Sequence, residues 1–141
     1  MATQQALAQL HIWPGWAVYL GPGRNAVQHR HLASELVLGV SGAVELIEAN
    51  AVQSCLGSFV PTQVWHSVNT ANIEIVVLWS ESLSVRQASA RFKSLQCVDC
   101  KLATGLAEEV ATRLTTLTPG EIDRIILAAL EQPRPREVQL E

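Results

Sequence analysis

Between Trp13 and about Ser80 short apolar stretches alternate with turn residues, reading WAVYL, GPGR, HRHLASELVLGV, SG, AVELIEA, QSCLGSFV and IEIVVLW. Apolar runs broken at such regular intervals predict short strands, and a series of them predicts an all-β sandwich or barrel. The last run is apolar on both faces, with Ile73, Ile75, Val77 and Trp79 on one side and Val76 and Leu78 on the other. A strand of that kind is covered on both sides, so it belongs in the middle of a sheet.

Beyond Ser80 the period lengthens from two towards 3.6 and β-branched residues thin out. Leu102, Leu106, Val110, Leu114 and Leu117 form a stripe, while Glu108, Glu109, Thr112 and Arg113 take other faces. A second helix starts at Thr118, Pro119 and Glu121: threonine can cap, proline suits the first helical position, and glutamate completes a capping box. Its apolar face is Ile122, Ile125, Ile126, Ala129 and Leu130, and Pro133 ends it. Two antiparallel helices joined by a short turn are therefore expected. The chain divides into a β-barrel part over residues 1–81, a helical part over 82–131 and a polar, proline-rich tail, QPRPREVQLE, over 132–141.

With 141 residues, 48% of them hydrophobic and 16% charged, the chain has the material for one domain with a proper core. The net charge of -3 and the scattered basic residues exclude a phosphate-binding footprint, so this chain alone is not expected to hold nucleic acid. No apolar run approaches the roughly 18 residues that span a bilayer, and MATQQALAQL lacks the basic start and apolar centre of a signal peptide. A cytoplasmic protein with no membrane contact is expected. Cys55, Cys97 and Cys100 are an odd number, which agrees with a reducing compartment and no disulfide. Cys97 and Cys100 make a single CxxC with no second pair to complete a zinc site, and read as small apolar residues.

The candidate chemistry lies in three histidines and a glutamate. Side chains alternate along a strand, so His29 and His31 share a face, and Glu35 joins them if the strand runs unbroken. With His66 from a distant strand, the set suits a divalent transition metal such as Fe, Mn, Ni, Co or Zn. Such a site would leave up to two positions open for a small molecule. His11 reads as a solvated residue ahead of the first strand, and Trp13, Trp16, Trp65 and Trp79 mostly as packing.

The same residues carry a resemblance. Gly23, His29, His31, Glu35 and Gly42 match the first motif of the cupin superfamily at every fixed position. Pro61 and His66 hold the spacing of the second motif, while Gln63 stands where glycine is usual, Gly57 falls two residues late and Asn69 one early. The resemblance implies a double-stranded β-helix, the jelly-roll barrel, with the metal in its mouth. YLGPG at Tyr19–Gly23, the HRH pair, the VP followed by WH, the terminal helices and the PRPRE tail also look like the sensor half of AraC-type transcription regulators. In that family a barrel binds a small effector, a helical pair forms a homodimer, and a linker leads to a DNA-reading half that this chain is expected to lack.

The resemblance implies an effector-binding sensor with metal at His29, His31, Glu35 and His66, and ligand contacts at Tyr19 and Gln63. If no metal binds, the histidines would line the pocket as hydrogen-bonding groups. The competing expectation is a small metal-dependent enzyme, a dioxygenase or isomerase, with Glu45, Glu48, Glu74 and Tyr19 as the available acids and bases. None of these has a spacing that marks a role, so binding leads over catalysis.

Overall fold

The computed structural model describes residues 8–23, 33–48, 51–63 and 67–131. The fold is mainly β. A six-stranded antiparallel sheet runs in the order β1 (Gln9–Trp13), β2 (Trp16–Pro22), β8 (Glu74–Ser80), β3 (Ser34–Gly39), β6 (Gly57–Val60) and β9 (Gln96–Cys97). A three-stranded antiparallel sheet is ordered β5 (Ala51–Cys55), β4 (Val44–Glu48) and β7 (Ser67–Asn69).

The run assigned to the sheet centre is β8, held between β2 and β3, and Val76 and Leu78 are completely buried. Its two faces serve two cores. Val76 and Leu78, with Val18, Leu36, Leu38 and Phe59, meet the helices, whereas Ile75 and Val77, with Val37 and Val60, meet Val44, Leu46 and Val68 of the small sheet. The alternation seen in the sequence thus separates an outer, helix-covered face from an inner face enclosed between the sheets.

The expected jelly-roll barrel is not closed: among the described residues the strands form two facing sheets with no ladder joining them into one. Two of the edge strands are very short, two residues in β9 and three in β7, and offer few backbone groups with which to zip the sheets together. The first strand also begins earlier than expected. Gln9–Trp13 pairs with β2 through a hairpin at Pro14 and Gly15, whose φ of 88° is the left-handed geometry that glycine admits. His11 accordingly lies half-buried within β1, stacked on Trp13 at 6.4 Å, and does not precede the sheet.

Three helices follow: α1 (Leu83–Ser89), α2 (Cys100–Arg113) and α3 (Pro119–Glu131), with a 3-10 turn at Leu114–Thr116. The first was not foreseen because it buries only Val85 and Ser89 and so shows no stripe; Ser82 caps it by accepting from the Val85 N–H at 3.3 Å. Asp99 caps α2 through the Leu102 N–H at 3.1 Å. For α3 the capping box forms as expected, with the Glu121 N–H donating to Thr118 Oγ1 at 3.3 Å and the Thr118 N–H to Glu121 Oε1 at 3.1 Å.

Leu106, Val110, Leu114 and Leu117, together with Ile122, Ile125, Ile126, Ala129 and Leu130, are buried in one cluster with the outer face of the large sheet. Both stripes are therefore covered within a single chain. Asp123 fastens α3 to the sheet, its Oδ1 accepting from Trp16 Nε1 at 2.9 Å and from Ser80 Oγ at 2.6 Å. Arg113 bridges Glu109 at 3.3 Å and also Glu121, so the surfaces of α2 and α3 are tied as well.

Candidate functional site

Glu35 lies on β3 between Leu36, which faces the helices, and the strand's N-terminal end, so alternation turns it to the inner face with Val37. It is buried, at 9% exposure. Across the sheet its row reads Ala17, Trp79, Glu35 and Val60. The next row reads Tyr19, Val77, Val37, Ser58 and Cys97. A carboxylate in so apolar a wall carries a desolvation cost that a surface position would not impose.

Tyr19 belongs to this wall too and packs against the inner core, and its hydroxyl donates to the Pro22 carbonyl at 2.7 Å. Gln63 is exposed in the turn after β6 with a φ of 63°. That left-handed conformation explains why glycine is usual at this motif position, and shows that the turn is retained with glutamine in it. His29, His31 and His66 lie outside the described residues; of the unbroken strand expected from His29 to Glu35, the described part has a bend at Ala33, and the strand begins at Ser34. Among the described residues no group of three or more His, Cys, Asp or Glu side chains could hold a metal ion. Of the four expected ligands, Glu35 lies within the described residues, buried on the inner wall.

The chain segments leading into and out of the two motifs adjoin. Gly23 N–H donates to the Ile73 carbonyl at 2.8 Å, and a Cβ added at Gly23 would strike the Thr70 carbonyl oxygen and hydroxyl. A Cβ at Gly42 would come within 2.8 Å of the Ile73 methyl. The first motif is thus flanked by glycines because the backbone around 70–73, just past the second motif, packs directly on it. The other motif residue, Asn69, pairs with Glu45: its Nδ2 donates to Glu45 Oε1 at 2.7 Å and its Oδ1 accepts from the Ala71 N–H at 3.0 Å.

The carboxylates considered as acids or bases are placed differently. Glu45 alternates with the inward Val44 and Leu46 and so faces outward, and Glu74 alternates with Ile75 on the outer side of β8. The side chain of Glu48 lies outside the described residues. Two inner features went unnoticed in the sequence. Ser58 Oγ is fully buried with no hydrogen-bond partner among the described residues, a hydroxyl that a bound polar group could engage. Cys97, next along its row, meets Cys55 of the small sheet with Sγ atoms 2.6 Å apart, while Cys100 is exposed. The CxxC is therefore not a pair of equivalent apolar residues. The contact with Cys55 lowers the Cys97 thiol, and the same contact together with burial pushes the Cys55 thiol up.

A cavity of about 260 Å³ lies elsewhere, between α2 and the β3–β4 turn, lined among others by Val40, Gly42, Thr104, Glu108 and Thr112. Glu35, Tyr19 and Ser58 do not line it. No helix among the described residues is long and apolar enough to cross a membrane.

No protein-family model matches the chain, and no curated protein matches its sequence. Among solved structures it is similar to a cupin-2 domain protein from Shewanella frigidimarina, at 13% identity and a TM-score of 0.45, over 56% of this chain and 84% of that one. A cupin superfamily protein from Desulfitobacterium hafniense matches at 9% identity and a TM-score of 0.45, over 58% and 84%. A Cupin 2 conserved barrel domain protein from Salinispora arenicola matches at 18% identity and a TM-score of 0.43, over 60% and 82%. These neighbours are cupin proteins, and each match spans just over half of this chain.

Proposed function

We propose that the chain is a cupin-type sensor of the AraC kind, binding a small organic effector between its two sheets beside a divalent transition metal held by His29, His31, Glu35 and His66. The observation that carries this reading is the placement of Glu35: a carboxylate spaced from the HxH pair as the cupin motif requires lies buried on the inner face. A carboxylate at that place would give a divalent cation an anionic oxygen ligand, which supports the metal reading. When bound, the ion would offer Lewis acidity and open coordination positions to the effector. The chain's own part is to shape the recess: Trp79 and Val60 flank Glu35, Tyr19 stands one row away, and the Ser58 hydroxyl adds a polar anchor within the wall.

Of the acids and bases open to the enzyme reading, Glu45 and Glu74 face outward and Tyr19, on the inner wall, has its hydroxyl bonded to the Pro22 carbonyl, so binding is the stronger reading. A homodimer of this chain would use a surface other than the buried helical stripes; the edge strand β1 exposes Leu10 and Ile12. Elemental analysis of the purified chain tests the ligand set. Near-stoichiometric metal in the wild type and loss of most of it in His66→Ala are expected. Full stoichiometry in His66→Ala would refute the four-ligand proposal. Because imidazoles ligate in the neutral form, occupancy should fall as the pH drops through the histidine range.

A further inference from the structure

Cys55 closes β5 in the small sheet and Cys97 closes β9 in the large one, 42 positions later, yet their sulfurs touch. We propose that Cys55 and Cys97 form a reversible disulfide that staples the two sheets across the inner core, exchanging with low-molecular-weight disulfides of the glutathione class. A disulfide requires side chains that already face one another at short range, and this pair meets the requirement without rearrangement of either strand. Cys100, three residues on, is no rival partner, being exposed on the first turn of α2 while Cys97 is turned to Cys55.

The two thiols have different parts. Cys97 is half-exposed and its thiol is lowered, so it is the nucleophile; Cys55 is buried and its thiol is raised, so it resolves. The Cys97 thiolate attacks a sulfur of the small disulfide RSSR, forming Cys97–S–S–R and expelling RS⁻. Cys55 then loses its proton to the departing thiolate or to water and attacks the Cys97 sulfur, releasing the second RS⁻. In sum two protein thiols and RSSR give one protein disulfide and two RSH, the protein being oxidised by two electrons and RSSR reduced by two. Ser58 pairs with both Val37 and Cys97, so the bond would lie one row from Glu35 and fix the spacing of the walls on either side of it.

Incubation of the full chain with oxidised glutathione, alkylation with iodoacetamide and peptide mapping test this directly. A linked pair of peptides containing Cys55 and Cys97, an alkylated Cys100, an intact mass lower by two hydrogens and reversal by reduced glutathione are expected. Cys100→Ser should give the same link. Alkylation of both Cys55 and Cys97 after oxidation, a link between Cys97 and Cys100, or a glutathione adduct on Cys97 as the end product would overturn the proposal. The closed loop is long, so oxidation should raise the melting midpoint of the wild type and of Cys100→Ser by about 10 °C. Equal midpoints before and after formation of the link would remove the stapling role.

Discussion

The two faces of the central sheet are built from the same strands and differ in one respect. The outer face presents Val18, Leu36, Leu38, Phe59, Val76 and Leu78 to the helices, all with no exposure at all. The inner face interrupts Val37, Val60, Ile75 and Val77 with Glu35, Ser58, Tyr19 and Cys97. The buried polar residues of the outer face, Ser34, Ser80 and Gln96, each bond to a neighbour, whereas the inner face holds a buried carboxylate and a Ser58 hydroxyl with no partner among the described residues, which marks it as the face where binding is read. One strand, β3, divides the two tasks between odd and even positions.

Mutations on the two faces should therefore behave differently. The largest loss is expected for Phe59→Ala on the outer face, about 3–5 kcal/mol in urea unfolding, because Phe59 is fully buried and packs edge-on against Phe92 at 6.0 Å. A cost below about 1 kcal/mol would show that the helices do not depend on that face. Next comes Asp123→Ala, which strips the Trp16 and Ser80 donors of their acceptor and should destabilise by about 2 kcal/mol. If Asp123→Asn restores most of that loss, hydrogen bonding and not charge holds α3 in place.

Glu35→Leu on the inner face is expected to abolish metal binding, with a smaller change in the unfolding of metal-free protein than Phe59→Ala causes. A strong destabilisation of the metal-free chain would make Glu35 a structural residue instead. Gln63→Gly should stabilise by about 0.5–1 kcal/mol, since glycine takes the left-handed conformation without the penalty that glutamine carries. The smallest effect concerns the surface. Arg113 holds the Glu121 carboxyl below its ordinary value, so this ion pair contributes above the carboxylate range and its contribution is lost as pH falls through the depressed value. Urea midpoints followed down through that range should drop less steeply in Arg113→Met than in the wild type.

How far the sequence disclosed this division can be judged from particular residues. Patterns of long reach were readable: the two-sided burial of β8, the stripe from Leu102 to Leu117, in which Leu102 is only partly buried, and the capping box at Thr118 stand in the structure. Features without periodicity were not. Helix α1 has no stripe, and β1 is an edge strand whose Leu10 and Ile12 are more than half exposed, so neither shows burial to read. The Pro14–Gly15 turn was nonetheless a visible hairpin signal. In the site, the inner placement of Glu35 follows from the register of β3 against its neighbours, which the motif spacing does not contain. The meeting of Cys55 with Cys97 and the burial of Ser58 arise from sheets brought together by tertiary packing, which no local spacing encodes.

Anomalous diffraction from crystals grown with a divalent transition metal bears most directly on the central claim. A peak is expected on the inner face, about 2.0–2.2 Å from a Glu35 carboxylate oxygen, with the imidazoles of His29, His31 and His66 around the same point. A peak away from Glu35, or those three rings directed to separate surroundings, would contradict it.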